Sequence, residues 1–213
     1  MSRLKGIVQD YFTIDSCHDI YHLKRVHNLA LKLQFKEGGD KYVIGVASFL
    51  HDVHRIIQVQ QGSYCLPKDS LDTVNKMLIR AEVNSEKIPA ILRAIEFHEE
   101  YSFSEQGKTV DDIETLILQD ADNLDAIGAI GIARAFSYGG LHNMPIWNPD
   151  ISISNECHDE SSNSSSVVHH FYSKLFKLGE NMNTSTAKAM ATSRIEYMHK
   201  FVDIFLSEWK VEI

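Results

Sequence analysis

The sequence has few cysteines and no long apolar run, and these absences exclude several classes of protein. Its 213 residues include three cysteines, Cys17, Cys65 and Cys157, which are odd in number and far apart. They suit neither a disulfide framework nor a CxxC metal motif. No apolar stretch approaches the roughly 20 residues that a membrane-spanning helix needs. The first residues lack the apolar core of a signal peptide, so we expect a cytoplasmic protein without a membrane partner.

Positive charge is also scarce. Lys and Arg number 21 against 29 Asp and Glu, which gives a net charge of −8. This balance argues against a nucleic-acid polymer as partner, because binding to its phosphate backbone needs a basic face. A small anionic substrate remains compatible, since a bound metal can supply positive charge locally.

Helical periodicity dominates the chain, and no run shows the alternation of a β-strand. No repeat of 20 to 50 residues is present, so a solenoid is excluded. We therefore predict an all-α fold, a single domain over residues 1–213. Within it, one long helix is expected over residues 110–136. The glycine-, proline- and serine-rich residues 139–168 are expected to form a loop insertion that is partly mobile.

An apolar segment from Tyr42 to Leu50 ends abruptly in His51 and Asp52. A segment this hydrophobic predicts a helix that is buried on most of its faces. An ionised carboxylate at its inner end is tolerable if it is hydrogen-bonded, ion-paired or bound to a metal. A helix end with a capping histidine and a solvated aspartate explains the pair as well, so partners elsewhere in the chain decide between these interpretations.

The helix predicted over residues 18–36 presents one histidine to its apolar face. Val26, Leu29, Ala30 and Leu33 define the buried stripe, and His22 stands four residues before Val26. His27 lies five residues beyond His22, about 140° further round the helix, and should face elsewhere. His22 is therefore the candidate ligand, with a satisfied core histidine as the alternative, and His27 is expected at the surface or in a second layer.

A later apolar helix carries three carboxylates, Asp120, Asp122 and Asp125. Asp122 and Asp125 are three positions apart and share a helix face. One histidine, a His-Asp pair and an aspartate on three helices would make a set of two nitrogens and two oxygens. Such a set suits a divalent transition ion such as Mn, Fe, Ni, Co or Zn. A buried charge network without a metal is the alternative.

In this order the motifs resemble the HD-domain superfamily of metal-dependent phosphohydrolases, and in particular its small stand-alone bacterial members. The resemblance rests on His18-Asp19-x-x-His22-x-x-Arg25-Val26, Leu50-His51-Asp52, the block from Gln119 to Arg134, Tyr138-Gly139-Gly140, His170-Phe171 and Met182-Asn183-Thr184. It covers nearly the whole chain outside the serine-rich run. It implies an all-helical HD domain with one divalent metal held by His22, His51, Asp52 and Asp122. Mn is favoured, and Ni, Co, Fe, Zn or Mg is also compatible.

The chain departs from the family pattern at two places. Some HD nucleotidases carry an acid three positions after the HD aspartate, where it helps to activate water, whereas this chain has Arg55. Binuclear HD phosphodiesterases use further histidines before the final aspartate, and only His98 lies clearly in that interval, apart from His54 beside the pair. We therefore expect one metal rather than two. Glu99, next to His98, is expected to be solvated.

Chemistry assigns further candidate roles. Asp52 or Asp122 can accept a proton from the attacking water, and Asp125 can orient that water. The candidate substrate contacts are His18, Arg25, His98, Arg134, Tyr138 and Lys174. On one continuous helix, Arg134 would lie more than three turns beyond Asp122, so we expect it to reach a distal phosphate or an acidic partner rather than the metal.

The resemblance implies a nucleotide phosphohydrolase, and its subgroup favours cleavage of nucleoside or deoxynucleoside triphosphates to a monophosphate and pyrophosphate. A 5′-nucleotidase or a cyclic-nucleotide phosphodiesterase of the same metal chemistry is the alternative within enzymes. A catalytically idle nucleotide-binding regulatory module is the alternative outside them. The sequence is compatible with a monomer or a homodimer.

Overall fold

The computed structural model describes residues 2–12, 18–101, 103, 110–153 and 165–212, and within these ranges it contains helices and no strand. The predicted all-α fold is therefore confirmed. The α-helices are α1 (Ser2–Tyr11), α2 (Ile20–Glu37), α3 (Lys41–Leu50), α4 (Val53–Gln61), α5 (Leu71–Arg80), α6 (Ile88–Glu96), α7 (Ile113–Asp125), α8 (Gly128–Leu141), α9 (Val167–His170), α10 (Phe176–Glu180) and α11 (Ser185–Trp209). None of them is both long and apolar enough to cross a membrane.

Contacts along the chain define two compact units. The first comprises residues 1–100 and 108–122, and the second comprises residues 101–107 and 123–213. The single domain over residues 1–213 stays a prediction. Within the predicted insertion, α8 continues to Leu141 and α9 begins at Val167. Between these helices, residues 142–153 and 165–166 are not helical, and residues 154–164 of the polar run lie outside the described residues.

The first unit is built around α3, which is the apolar segment of the sequence. Its residues from Val43 to Leu50 are all buried, and the helix packs against α1, α2 and α6. Asp40 starts it, because its carboxylate accepts hydrogen bonds from the backbone N–H groups of Tyr42 and Val43 at 2.8 and 3.2 Å. This helix delivers His51 and Asp52 directly into the interior of the unit.

The long helix expected over residues 110–136 is instead two helices, α7 and α8. Gly128 lies between them with a φ of +76°, a left-handed conformation that favours glycine. A Cβ atom at this position would stand 3.0 Å from Cγ of Arg194. The backbone therefore turns at residues 126–128, and a distance measured along one continuous helix from Asp122 to Arg134 does not apply.

In the second unit, α11 packs against α8 and α10. Its buried residues include Ala187, Ala191, Met198 and Val202, which belong to the apolar stripe of the sequence. The ring of Phe136 on α8 lies 5.9 Å from that of Phe201 on α11. Aromatic and aliphatic packing therefore holds this unit together.

Candidate metal centre

The start of α2 places His22 in the interior of the first unit. Asp19 caps the helix, since its carboxylate accepts a hydrogen bond from the backbone N–H of His22 at 2.7 Å. This cap fixes the first turn, and the side chain of His22 is fully buried. His27 instead lies further along α2 with its Nδ1 atom 2.9 Å from the Ser48 hydroxyl, away from the cluster described next.

The junction between α3 and α4 supplies the next two side chains. His51 is the C-cap of α3 and Asp52 is the N-cap of α4, and both are buried. The Nδ1–H group of His51 donates to the carbonyl of Ser48 at 3.0 Å. This bond turns Nε2 of His51 inward, as a backbone carbonyl does for many metal-binding histidines.

Side-chain atoms of His22, His51, Asp52 and Asp122 lie close together, and we call these residues the metal cage. Nε2 of His22 lies 3.0 Å from Oδ2 of Asp52 and 3.5 Å from Oδ1 of Asp122. Nε2 of His51 lies 3.6 and 3.7 Å from the same two oxygens. Ligands about 2.1 Å from one ion stand about 3.0 to 3.4 Å apart in octahedral or tetrahedral geometry. The distances between imidazole nitrogens and carboxylate oxygens are therefore close to those expected around a single divalent ion.

The charges of the cage also favour a cation at its centre. Burial opposes the charge of His51, but the negative charges of Asp52 and Asp122 outweigh it and raise the pKa of His51 to about 9. Burial likewise opposes the charge of Asp52, yet His51 and His18 hold the pKa of this carboxyl well below its ordinary value. Two buried carboxylates thus demand positive charge between them, and a divalent cation meets that demand.

Two of the predicted substrate contacts, His18 and Arg25, lie on or just before α2 in the first unit. Nδ1 of His18 is 2.7 Å from Oδ2 of Asp52, and the His18 side chain is 29% exposed. His18 therefore contacts a cage ligand directly and also faces solvent. Arg25 is half-buried on α2, nearly one turn after His22.

His98 belongs to a second group of buried side chains, which also contains His54 and Glu99 and which we call the second cluster. The ring of His98 lies 5.2 Å from that of His51 and 5.5 Å from that of His54. Burial lowers the pKa of His98 to about 4, so its imidazole is neutral at pH 7. His54, His98 and Glu99 offer three ligand atoms within 4.8 Å of one another.

The expectation that Glu99 is solvated is wrong. Its side chain is only 9% exposed and forms an ion pair with Arg55. Burial opposes the charge of Glu99, but the guanidinium of Arg55 and the imidazole of His54 hold its pKa well below the ordinary value. Arg55 stands where some family members have an acid, and in this chain its guanidinium neutralises the buried carboxylate of Glu99.

The remaining predicted site residues lie in the second unit. Nη1 of Arg134 is 3.1 Å from Oδ2 of Asp125, and both side chains are largely buried. Tyr138 stacks on His142 with ring centroids 3.9 Å apart. The Lys174 ammonium lies 4.9 Å from the ring centroid of Tyr101. Arg134 was expected to reach either a distal phosphate or an acidic partner, and in the structure it pairs with the acidic Asp125. The substrate contacts of Arg134, Tyr138 and Lys174 stay predictions.

Sequence reasoning missed His54 and Glu99 as members of a buried cluster. Glu99 follows the end of α6, where helical periodicity no longer reports which way a side chain points. A signal was nevertheless present in Arg55. Arg55 follows a buried His-Asp pair by nearly one turn, and a cation in such a place needs an anionic partner. Glu99, which is adjacent to His98 in the sequence, is one carboxylate that could supply it.

Comparison with known proteins supports this assignment of the motifs. The family model described as HD domain matches residues 19–127, which is just over half of the chain. The Bacillus subtilis (strain 168) protein YpgQ is 33% identical over 207 residues, covering 94% of this chain and 89% of YpgQ.

Solved structures agree over nearly the full length. A crystal structure from Lactobacillus plantarum matches with a TM-score of 0.81 and 33% identity, over 99% of this chain and 96% of that one. YpgQ crystallised in complex with ADP matches with a TM-score of 0.73 and 28% identity, over 97% and 96%. An HD-superfamily hydrolase from Bacillus thuringiensis gives 0.70 and 33%, over 98% and 96%. The chain therefore belongs to the HD domain family, the superfamily of metal-dependent phosphohydrolases that its motifs resemble.

Proposed function

We propose that this protein hydrolyses nucleotides, with nucleoside or deoxynucleoside triphosphates cleaved to a monophosphate and pyrophosphate. The observation that carries the proposal is the metal cage, in which two imidazole nitrogens and two carboxylate oxygens converge in a buried site. The ADP bound to the relative YpgQ supports a nucleotide as the ligand here as well. A phosphate-bearing substrate also suits a cation-binding site in a chain of net charge −8.

His22, His51, Asp52 and Asp122 would hold the ion. When bound, a divalent cation lowers the pKa of water and neutralises charge that develops on a phosphoryl group. A ligand set of mixed nitrogen and oxygen atoms favours a transition ion such as Mn over Mg, which prefers oxygen ligands. Within this set we propose Mn, which the resemblance to the family favours.

The carboxylates of the cage have different surroundings, which suggests different roles. The Asp52 side chain is 2% exposed and lies within ion-pairing distance of three histidines, whereas the Asp122 side chain is 19% exposed. We assign Asp122 as the acceptor of the proton that the attacking water loses. The water oxygen bonds to the α-phosphorus as the bond to the pyrophosphate oxygen breaks, and pyrophosphate leaves with the electron pair of that bond.

His18 is the proposed contact to the substrate phosphate from the solvent side of the cage. Its imidazole already shares Asp52 with His22 and His51, so it can hold this carboxylate while its exposed edge meets the substrate. Arg25, Arg134, Tyr138 and Lys174 stay predicted substrate contacts, and Asp125 stays a predicted orienting residue.

The proposal is tested by incubating the purified protein and Mn with nucleoside mono-, tri- and cyclic phosphates and measuring phosphate, pyrophosphate and monophosphate release. We expect pyrophosphate and monophosphate from triphosphates. Asp122→Asn should reduce this rate at least about 100-fold, because a neutral amide replaces an anionic metal ligand and cannot accept the proton of the attacking water. His27→Gln, which alters a half-buried histidine outside the cage, is the matched control.

Other product patterns identify the alternatives. Phosphate from monophosphates alone would indicate a 5′-nucleotidase, and ring opening of cyclic nucleotides would indicate a phosphodiesterase. Nucleotide binding without turnover by the metal-loaded protein would contradict the enzyme proposal and indicate a regulatory module.

A further inference from the structure

Three buried polar atoms of the second cluster have no hydrogen-bond partner: Nε2 of His54, Nε2 of His98 and Oε2 of Glu99. His54 and His98 are at most 1% exposed, and the Glu99 side chain is 9% exposed. A buried polar atom left unpaired costs about 1–3 kcal/mol. The three residues also offer one ligand atom each within 4.8 Å of one another, which indicates that something binds between them.

The backbone fixes both imidazoles in the orientation that a metal ligand needs. Nδ1–H of His54 donates to the carbonyl of His51 at 3.0 Å, and Nδ1–H of His98 donates to the carbonyl of Ile95 at 2.7 Å. With Nδ1 turned to a backbone carbonyl in both rings, Nε2 is the ring atom that remains available to a ligand. Both Nε2 atoms are among those without a hydrogen-bond partner.

Glu99 supplies an anionic oxygen in the same place. Arg55 binds its Oε1 atom, which leaves Oε2 for another partner. The nearest candidate, Nε2 of His54, is 3.5 Å from Oε2, which is an ion-pairing distance but is longer than an ordinary hydrogen bond. This contact leaves Nε2 of His98 without a hydrogen-bond partner.

We propose that His54, His98 and Glu99 form a second binding site for a divalent transition-metal ion. None of the three belongs to the metal cage, but His98 offers a ligand atom within 4.8 Å of those of His51 and Asp52, so the two sites are neighbours. Two imidazole nitrogens and one carboxylate oxygen are the protein ligands of many open zinc and non-haem iron sites. The set suits Zn, Fe, Co or Mn and disfavours Mg and Ca, which prefer oxygen ligands. The site goes beyond the proposed hydrolysis, which needs only the cage.

The test is the metal stoichiometry of the full chain, measured by mass spectrometry of metals after equilibration with Zn and by titration with Co. We expect two equivalents in the wild-type protein. Asp122→Asn, which disrupts the cage, should retain one equivalent. His54→Gln combined with His98→Gln should also retain one, and His27→Gln should keep two.

Co absorbance assigns the ligands independently of activity. The d–d bands contributed by the second ion should persist in Asp122→Asn and disappear when His54 and His98 are both replaced. Glu99→Gln should weaken this ion at least about tenfold, because an anionic ligand becomes neutral. Glu100→Gln is the matched control and should bind both ions as the wild type does.

Several results would overturn the second site. One is a single equivalent in the wild-type protein that is lost in Asp122→Asn, and this result would leave the cage intact. Another is two equivalents that survive replacement of His54 and His98. Should a histidine variant fail to fold, as judged by circular dichroism, the stoichiometries of the wild type and of Asp122→Asn still decide the question. Loss of hydrolysis in Asp122→Asn tests the proposed function separately.

Discussion

His18 links the exposed side of the cage to its most buried carboxylate. Its Nδ1 atom is 2.7 Å from Oδ2 of Asp52, so replacing it should release one constraint on a metal ligand. We predict that His18→Gln lowers Mn affinity about 10- to 100-fold, the usual effect of removing a partner of a ligand. Isothermal titration with Mn measures this directly.

The control is His27→Gln, which should leave Mn affinity unchanged. If His18 only binds substrate, His18→Gln should raise KM for the nucleotide and leave the metal affinity unchanged. That outcome would contradict the positioning role.

At the level of single residues, sequence reasoning succeeded where helical periodicity applied. The stripe through Val26, Ala30 and Leu33 selected His22 over His27, and the structure buries His22 while His27 faces Ser48. It failed at Glu99, because that residue follows a helix end and its partner Arg55 is 44 positions away. No local pattern encodes a contact of that separation.

Helix α3 depends on its first capping residue. Asp40 accepts the N–H groups of Tyr42 and Val43 and also pairs with Lys87 at 2.6 Å. The hydrogen bond from Lys87, with those of the backbone, lowers the pKa of Asp40 below its ordinary value. Its contribution to stability is therefore fully present above its unfolded pKa and is lost as the pH falls through the lower, folded value.

We predict that Asp40→Ala destabilises the protein by about 1 kcal/mol at pH 7, a typical cost of losing an N-cap. The cost should shrink below about pH 4, where the unfolded aspartate takes up a proton. Urea unfolding of both proteins from pH 3 to 7 measures it. Lys87→Met separates the ion pair from the cap, and an equal cost for Asp40→Ala at all pH values would refute the assignment.

The turn between α7 and α8 depends on Gly128. Its φ of +76° and the proximity of Arg194 leave little room for a side chain. We predict that Gly128→Ala destabilises the protein by about 1–3 kcal/mol, the range for a strained backbone residue. Thermal unfolding followed by circular dichroism should show a lower Tm.

Gly140, in α8, provides the matched control. A Cβ atom there meets nothing within 4 Å, so Gly140→Ala should leave Tm unchanged or raise it slightly. Equal losses at both positions would show that the backbone conformation of Gly128 is not the cause.

This turn also marks the limit of sequence reasoning about elements. Apolar spacing predicted the buried α3, because a segment so hydrophobic must be enclosed on most faces. The same reasoning joined α7 and α8 into one helix, since residues 126–132 consist of alanine, glycine and isoleucine, which suit either a helix or a turn. The conformation of Gly128 depends on tertiary contacts, among them its N–H group 2.9 Å from Sδ of Met198.

For the whole molecule, the metal cage makes stability depend on metal concentration. All four ligands belong to the first unit, so an ion at 100 times its Kd should stabilise that unit by about 2.7 kcal/mol. Some backbone amides of α2 and α3 exchange their hydrogen only when this unit unfolds. We predict that bound Mn slows the exchange of these amides up to about 100-fold. Hydrogen exchange with mass spectrometry, with and without Mn, measures the effect, and Asp122→Asn should abolish it.

The amides of α11, in the second unit, decide whether residues 1–213 unfold as one domain. If the two units unfold together, Mn slows exchange in α11 as much as in α3, because both then open through the same global transition. If they unfold separately, α11 is unaffected while α3 is protected, and the prediction of a single domain fails. Absence of protection in α2 and α3 at saturating Mn would contradict the cage itself, since an ion that binds only the folded unit must stabilise it.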